Sequence, residues 1–155
     1  MIGPGDAAPP FELDGVEGDG VTRRRFSSSE WLGAPVVLVF YPADKSLVCT
    51  MQLRSYTEDI GAFAAVDAQV VALSPQSVDD HAEFARANDG FAFPLLSDTD
   101  KSVGRAFGTL GPLGFYRRSI VVLDSAGVVR WAHRAAAGLT FRPVSEIVEA
   151  VRSLG

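Results

Sequence analysis

The sequence holds one cysteine, two histidines and two methionines among 155 residues. One thiol cannot close an internal disulfide, so a stapled secreted scaffold is excluded. No Cys-x-x-Cys occurs, which excludes a dithiol reductase of the usual form. His81 and His133 show no ligand spacing with Cys49, so no metal is expected. Positive charge is also scarce, with 14 Lys and Arg against 19 Asp and Glu and a net charge of -5. That balance argues against nucleic acid or an anionic membrane as the partner. Long apolar runs are missing. The longest, Ala34 to Tyr41, is interrupted by Pro35 and is far too short to span a bilayer. Residues Met1 to Asp6 offer no basic and apolar leader pattern, so no secretory signal is expected and the cytoplasm is the expected setting. Gly104, Gly108, Gly111 and Gly114 are not followed by Gly-Lys-Ser/Thr and fit no dinucleotide fingerprint. They read as a loop, and no cofactor is expected.

What is present suits an ordinary folded protein. Hydrophobic residues make up 47% and charged residues 21%, and the length fits one domain over 1–155. Phe11 and Leu13 alternate with polar neighbours, and Gly15, Gly18 and Gly20 mark a turn before Val21, which together predict an N-terminal hairpin. Val36 to Tyr41 is continuously apolar and β-branched, the pattern of a strand buried on both faces. A polar loop follows, then a helical stretch from about Val48 to Ala64. Val66 to Leu73 reads as a second buried strand. Ser77 is placed to cap a helix running to about Asn88. Phe93 to Leu96 reads as a short edge strand because Pro94 cannot donate to a ladder. A short helix over Ser102 to Phe107 follows. Ser119 to Leu123 and Val128 to Ala132 form a hairpin across Asp124-Ser125-Ala126-Gly127. Pro143 to Leu154 closes the chain as an amphipathic helix. Arg23-Arg24-Arg25 reads as a solvated charge run. This order predicts an α/β fold of thioredoxin-like, three-layer type, with a central mixed sheet flanked by helices and an N-terminal β-hairpin.

The chemistry concentrates in the segment from Phe40 to Thr50. A buried strand ends there and a helix begins, the place where open α/β sheets build their sites. Cys49 falls in the first helical turn, where unpaired N–H groups and the helix dipole favour a negative charge. A free thiol has a pKa of about 8.5, and a helix N-terminus or a nearby cation lowers it. Ser46, three residues earlier, can hydrogen-bond the sulfur or a bound oxygen, or simply cap the helix. Pro42 can shape the loop and shield the sulfur. Arg118 opens the Ser119–Leu123 strand after a glycine-rich loop and is the best candidate for a fixed cation. Arg117 competes for that role, but strand alternation sends the two side chains to opposite sides, so only one serves.

These segments carry a resemblance. Gly5 to Leu13 is similar to the opening of the peroxiredoxin family (alkyl hydroperoxide reductase and thiol-specific antioxidant proteins). Pro42, Ser46 and Cys49 match its signature Pro-x-x-x-Thr/Ser-x-x-Cys. Arg118 to Asp124 resembles the strand that supplies its active-site arginine, and Phe93 to Asp98 resembles another familiar stretch. The likeness spans nearly the whole chain and lies nearest the bacterioferritin-comigratory and single-cysteine branches. It implies that the Cys49 thiolate attacks a hydrogen peroxide or organic hydroperoxide, becomes a sulfenic acid, and is restored by an external thiol of the thioredoxin, glutaredoxin or low-molecular-weight type. Pro42, Ser46 and Arg118 are then the supporting catalytic residues. A homodimer is compatible with the resemblance, because the family commonly pairs near its active site. There are departures. Arg54 stands where many relatives carry a second cysteine, Gln52 replaces a common glutamate, and Lys45 replaces a common aromatic. The rival reading is a redox-sensing or holdase-type interaction protein on the same fold with little turnover.

Overall fold

The computed structural model describes residues 2–135 and 140–154. Its frame is a seven-stranded sheet. In chain order the strands are β1 (Glu12–Val16), β2 (Arg23–Ser27), β3 (Val36–Phe40), β4 (Gln69–Ser74), β5 (Leu95–Ser97), β6 (Ser119–Leu123) and β7 (Val129–Arg134). The helices are α1 (Leu47–Glu58), α2 (Ile60–Ala64), α3 (Val78–Ala87), α4 (Ser102–Ala106) and α5 (Val144–Arg152). The strand order is β2-β1-β5-β4-β3-β6-β7. Strands β3, β4 and β5 are parallel, and an antiparallel hairpin closes each side. This is the expected mixed sheet of the thioredoxin-like class, with the N-terminal hairpin in the same sheet.

Strand alternation builds two cores. Val37, Val39 and Tyr41 project to one face with Val70, Ala72, Ile120 and Val122, where α1, α2, α3 and α5 cover them. Leu38 and Phe40 project to the other, with Leu73, Val121, Phe107 and Tyr116. All five residues of β3 are buried, which explains its unbroken apolar run. Each such side chain contributes roughly 1.5–3 kcal/mol by leaving water.

Two expectations need correction. Strand β5 is not an edge, since it lies between β1 and β4. Pro94 precedes the ladder and takes part through its carbonyl, which accepts from Ala72 N at 3.1 Å, so no N–H is required. The helix expected over Val48 to Ala64 is two helices, divided at Asp59, whose ψ of 22° leaves the helical range. Arg23, Arg24 and Arg25 lie in β2 and meet Asp79, Glu17, Glu30 and Asp14 in exposed ion pairs. Exposed pairs of this kind contribute little, about 0–1 kcal/mol each.

Candidate active site

The chain leaves β3 at Tyr41 and turns through Pro42 to Lys45 before α1 begins. Lys45 adopts φ of 65°, the left-handed region that costs a residue with a side chain roughly 1–2 kcal/mol. Beyond it, Ser46 is the N-cap of α1, and its Oγ accepts from Cys49 N at 3.2 Å. The Ser46 carbonyl accepts from Thr50 N at 2.9 Å and from Thr50 Oγ1 at 2.8 Å. One orphan donor of the first turn, Cys49 N–H, is thereby used, and the sulfur is set at the helix start. Ser46 is thus a capping residue first. Because its hydroxyl accepts from Cys49 N, its own hydrogen remains able to donate towards the sulfur side. Pro42 is half-buried at the start of the loop.

Arg118 reaches the sulfur from the next strand. Its Nη2 donates to Cys49 Sγ at 3.3 Å, and its Nη1 donates to Gln52 Oε1 at 2.6 Å. Arg118 and Cys49 are 69 positions apart in sequence. The alternation argument holds, because Arg118 shares the face of Ile120 and Val122. Arg117 points elsewhere and donates to the carbonyls of Ala135 and Arg134. Cys49 has no exposed surface and Arg118 is 4% exposed. A cleft of about 370 Å³ is lined by Gly111, Pro112, Leu113, Phe115, Arg117 and Arg118 among others, and Cys49 is not part of its lining.

Gln52 carries the arrangement further. A guanidinium only donates, so the amide must turn its oxygen to Arg118 and its nitrogen away. That nitrogen donates to the Tyr56 hydroxyl at 3.2 Å, and Tyr56 donates to the Arg142 carbonyl at 2.6 Å. Burial pushes the Tyr56 hydroxyl up to about 12, with Gln52 and the charge of Arg118 pulling the other way. The hydrogen bonds therefore run in one direction, from the guanidinium to the segment preceding α5. On the other side of the cysteine lies a second polar cluster, formed by Tyr41, Asp44 and His81. Sequence reasoning missed Tyr56, Asp44 and His81. The available signal was His81 beside Phe84 and Ala85 on the apolar face of its helix, where a buried imidazole demands a partner.

The described residues contain no cluster able to hold a metal ion, and none of their helices is long and apolar enough to cross a membrane. A cysteine at a helix start beneath a guanidinium, on a thioredoxin-like sheet, defines a thiol redox centre. Comparison with known proteins gives the class its family. Residues 4–132 match the AhpC/TSA family. The chain is 34% identical over 152 residues to chloroplastic peroxiredoxin Q of Sedum lineare, covering 97% of this chain and 76% of that protein. The structure of Enterococcus faecalis AhpC superposes with a TM-score of 0.91 at 25% identity, covering 99% of this chain and 93% of the other. Mycobacterium tuberculosis AhpC shares the fold, with a TM-score of 0.89 at 23% identity over 99% of this chain and 98% of that one. The chain belongs to the AhpC/TSA family, and is thus a peroxiredoxin, a thiol peroxidase.

Proposed function

We propose that the chain is a single-domain, single-cysteine peroxidase that reduces hydrogen peroxide or organic hydroperoxides at Cys49. The observation carrying this reading is the 3.3 Å contact from Arg118 Nη2 to Cys49 Sγ at the start of α1. The Cys49 thiolate attacks one peroxide oxygen. The S–O bond forms as the O–O bond breaks, and the departing oxygen takes up a proton and leaves as water or alcohol. Arg118 holds the sulfur and stabilises the charge that moves onto the leaving oxygen, a contribution of electrostatics and orientation. Ser46 sets the first turn, and Pro42 starts the loop that leads into it.

With one cysteine in the chain, the sulfenic acid must be reduced by an external thiol, and a cytoplasmic pool of reduced thiols suits that need. Exposed Leu47 and Met51 on α1, and Leu113 and Phe115 at the cleft, offer an apolar rim for such a reductant or for a second copy of the chain. The deciding experiment mixes the reduced protein with hydrogen peroxide and with an organic hydroperoxide. Oxidation is followed by tryptophan fluorescence, and its site is assigned by mass. Cys49→Ser is expected to lose all turnover, and retained turnover would end the reading. A wild-type rate no faster than a free thiol, with oxidation-dependent capture of partners, would point to a sensor instead.

A further inference from the structure

The Cys49 sulfur is wholly buried, yet a thiol reductant must bring its own sulfur into bonding contact with it. A peroxide is small, whereas a thiol on a carbon skeleton is not. Cys49 lies in the first turn of α1, directly after the loop from Pro42 to Ser46, so access requires that loop to open during each cycle. The reaction that follows opening is simple. The reductant's sulfur bonds to Sγ as the S–O bond breaks, and the oxygen leaves as water with the thiol's proton. A second thiol then cleaves the mixed disulfide and returns Cys49.

What holds the loop shut is a set of ties to α3 and the sheet. Two are slight. Asp44 N donates to Gln76 Oε1 at 3.2 Å, and Lys45 Nζ pairs with Glu83 at 2.9 Å on the surface. The third is buried. The Asp44 carboxylate accepts from the Tyr41 hydroxyl at 2.7 Å, and its two oxygens stand 2.8 and 3.1 Å from His81 Nδ1. His81 is itself held by the Leu96 carbonyl, 3.0 Å from Nε2. A carbonyl only accepts, so Nε2 carries a hydrogen, and one further proton must lie between Nδ1 and the carboxylate. Every polar atom of the cluster is then satisfied while the loop is closed, and opening would strand the imidazole among apolar side chains. The left-handed backbone at Lys45 works in the opposite sense and favours release.

We propose that the Asp44–His81–Tyr41 cluster is the lock on this loop, and that its opening sets how fast a thiol reaches oxidised Cys49. The proposal rests on the peroxidase reading for its biological role. Asp44 and His81 act as positioning residues, through the loop, and touch neither the sulfur nor the peroxide.

The test measures three rates on the full chain, each in single turnover. They are oxidation of reduced Cys49 by hydrogen peroxide, reduction of the sulfenic acid by dithiothreitol, and alkylation of reduced Cys49 by iodoacetamide. Asp44→Ala and His81→Ala are expected to raise reduction and alkylation about tenfold while slowing peroxide oxidation, because the open population grows. Asp44→Asn should recover the wild-type pattern, since its oxygen can accept from Tyr41 and its amide can donate to His81. Lys45→Gln removes only the surface tie, keeps the core intact, and should shift the same rates about twofold in the same directions. Rates that all fall together, or that do not change, would overturn the lock, and so would an Asp44→Asn chain that behaves as Asp44→Ala. Should the alanine chains fail to fold, Lys45→Gln and Asp44→Asn decide the matter by the same rates. The alkylation arm needs no peroxide, so it judges the lock even if the peroxidase reading fails.

Discussion

Two of the parallel strands end in a buried anion-binding turn, and the two turns are put to different use. After β5, Asp98 stands before α4. Its carboxylate accepts from Val103 N at 3.1 Å, from Gly104 N at 2.8 Å and from the Tyr116 hydroxyl. After β3, Cys49 stands inside the first turn of α1, with Ser46 on its backbone and Arg118 on its sulfur. Both places draw on the same physics, since the orphan N–H groups and dipole of a helix start favour negative charge. At Asp98 the donors are part of the framework, and the packing leaves no slack. A Cβ on Gly104 would come within 2.5 Å of Tyr116 Cε1. At Cys49 the donor is a long arginine side chain, while the turns before both helices each hold one left-handed residue, Lys45 and Lys101. The first arrangement holds a sheet end and a loop together. The second holds a nucleophile that must be reached.

That comparison can be broken. Arg118→Ala is expected to lower the peroxide oxidation rate by about 10²–10³-fold, the range found when one preorganised donor to a developing charge is removed. Stopped-flow oxidation of purified protein would measure it, and a drop under tenfold would mean that Arg118 is framework, as Asp98 is. Asp98→Ala should show the converse. Three buried donors lose their acceptor, for a cost of about 3 kcal/mol and close to 10 °C in Tm. The rate per folded molecule should stay within about threefold. Calorimetry with a parallel rate measurement separates the two effects, and a rate loss out of proportion to the stability loss would merge the two regions.

Smaller changes sharpen the contrast. Ser46→Ala removes the cap that sets the first turn and should cost about 1 kcal/mol of stability. A fall in oxidation rate of severalfold beyond that would show the hydroxyl acting on the peroxide as well. Tyr56→Phe acts through pH. The Tyr56 pKa is raised from 10.0 to about 12 in the folded chain. The proton is therefore held more tightly by the folded chain than by the unfolded one. The stability this gives is whole below pH 10 and is lost as pH rises through 12, about 1.4 kcal/mol for every tenfold difference in proton affinity. Melting curves between pH 9 and 12 should therefore slope less steeply in the phenylalanine variant than in wild type. Tyr41 and Tyr116, also raised by burial and by the carboxylates of Asp44 and Asp98, leave a residual slope in both.

The legible parts of this molecule are the local ones. Period-two and helical patterns predicted the strand and helix order, and alternation at the start of β6 left room for only one of Arg117 and Arg118 at the sulfur. The three-residue spacing from Ser46 to Cys49 is the geometry of an N-cap and the third residue of its helix, so the cap is readable from spacing alone. The errors lay where local pattern and tertiary pairing diverge. Pro94 looked like an edge marker, but it sits just outside the ladder and lends only its carbonyl. The break at Asp59 leaves no gap in the apolar pattern. His81 looked inert because its partner, Asp44, is 37 residues away.

Taken alone, the chain of residues determined which stretches are strands, which helix start carries the thiol, and that Arg117 and Arg118 point to opposite sides. Those follow from φ, ψ and side-chain alternation, whose range is a few residues. The folded sheet decided what faces what. It set β5 between β1 and β4, brought Arg118 to Cys49, turned Gln52 towards the guanidinium, and closed Asp44 against His81. Such pairings depend on which strands become neighbours, and the energy that selects them is released only when whole faces bury each other at once.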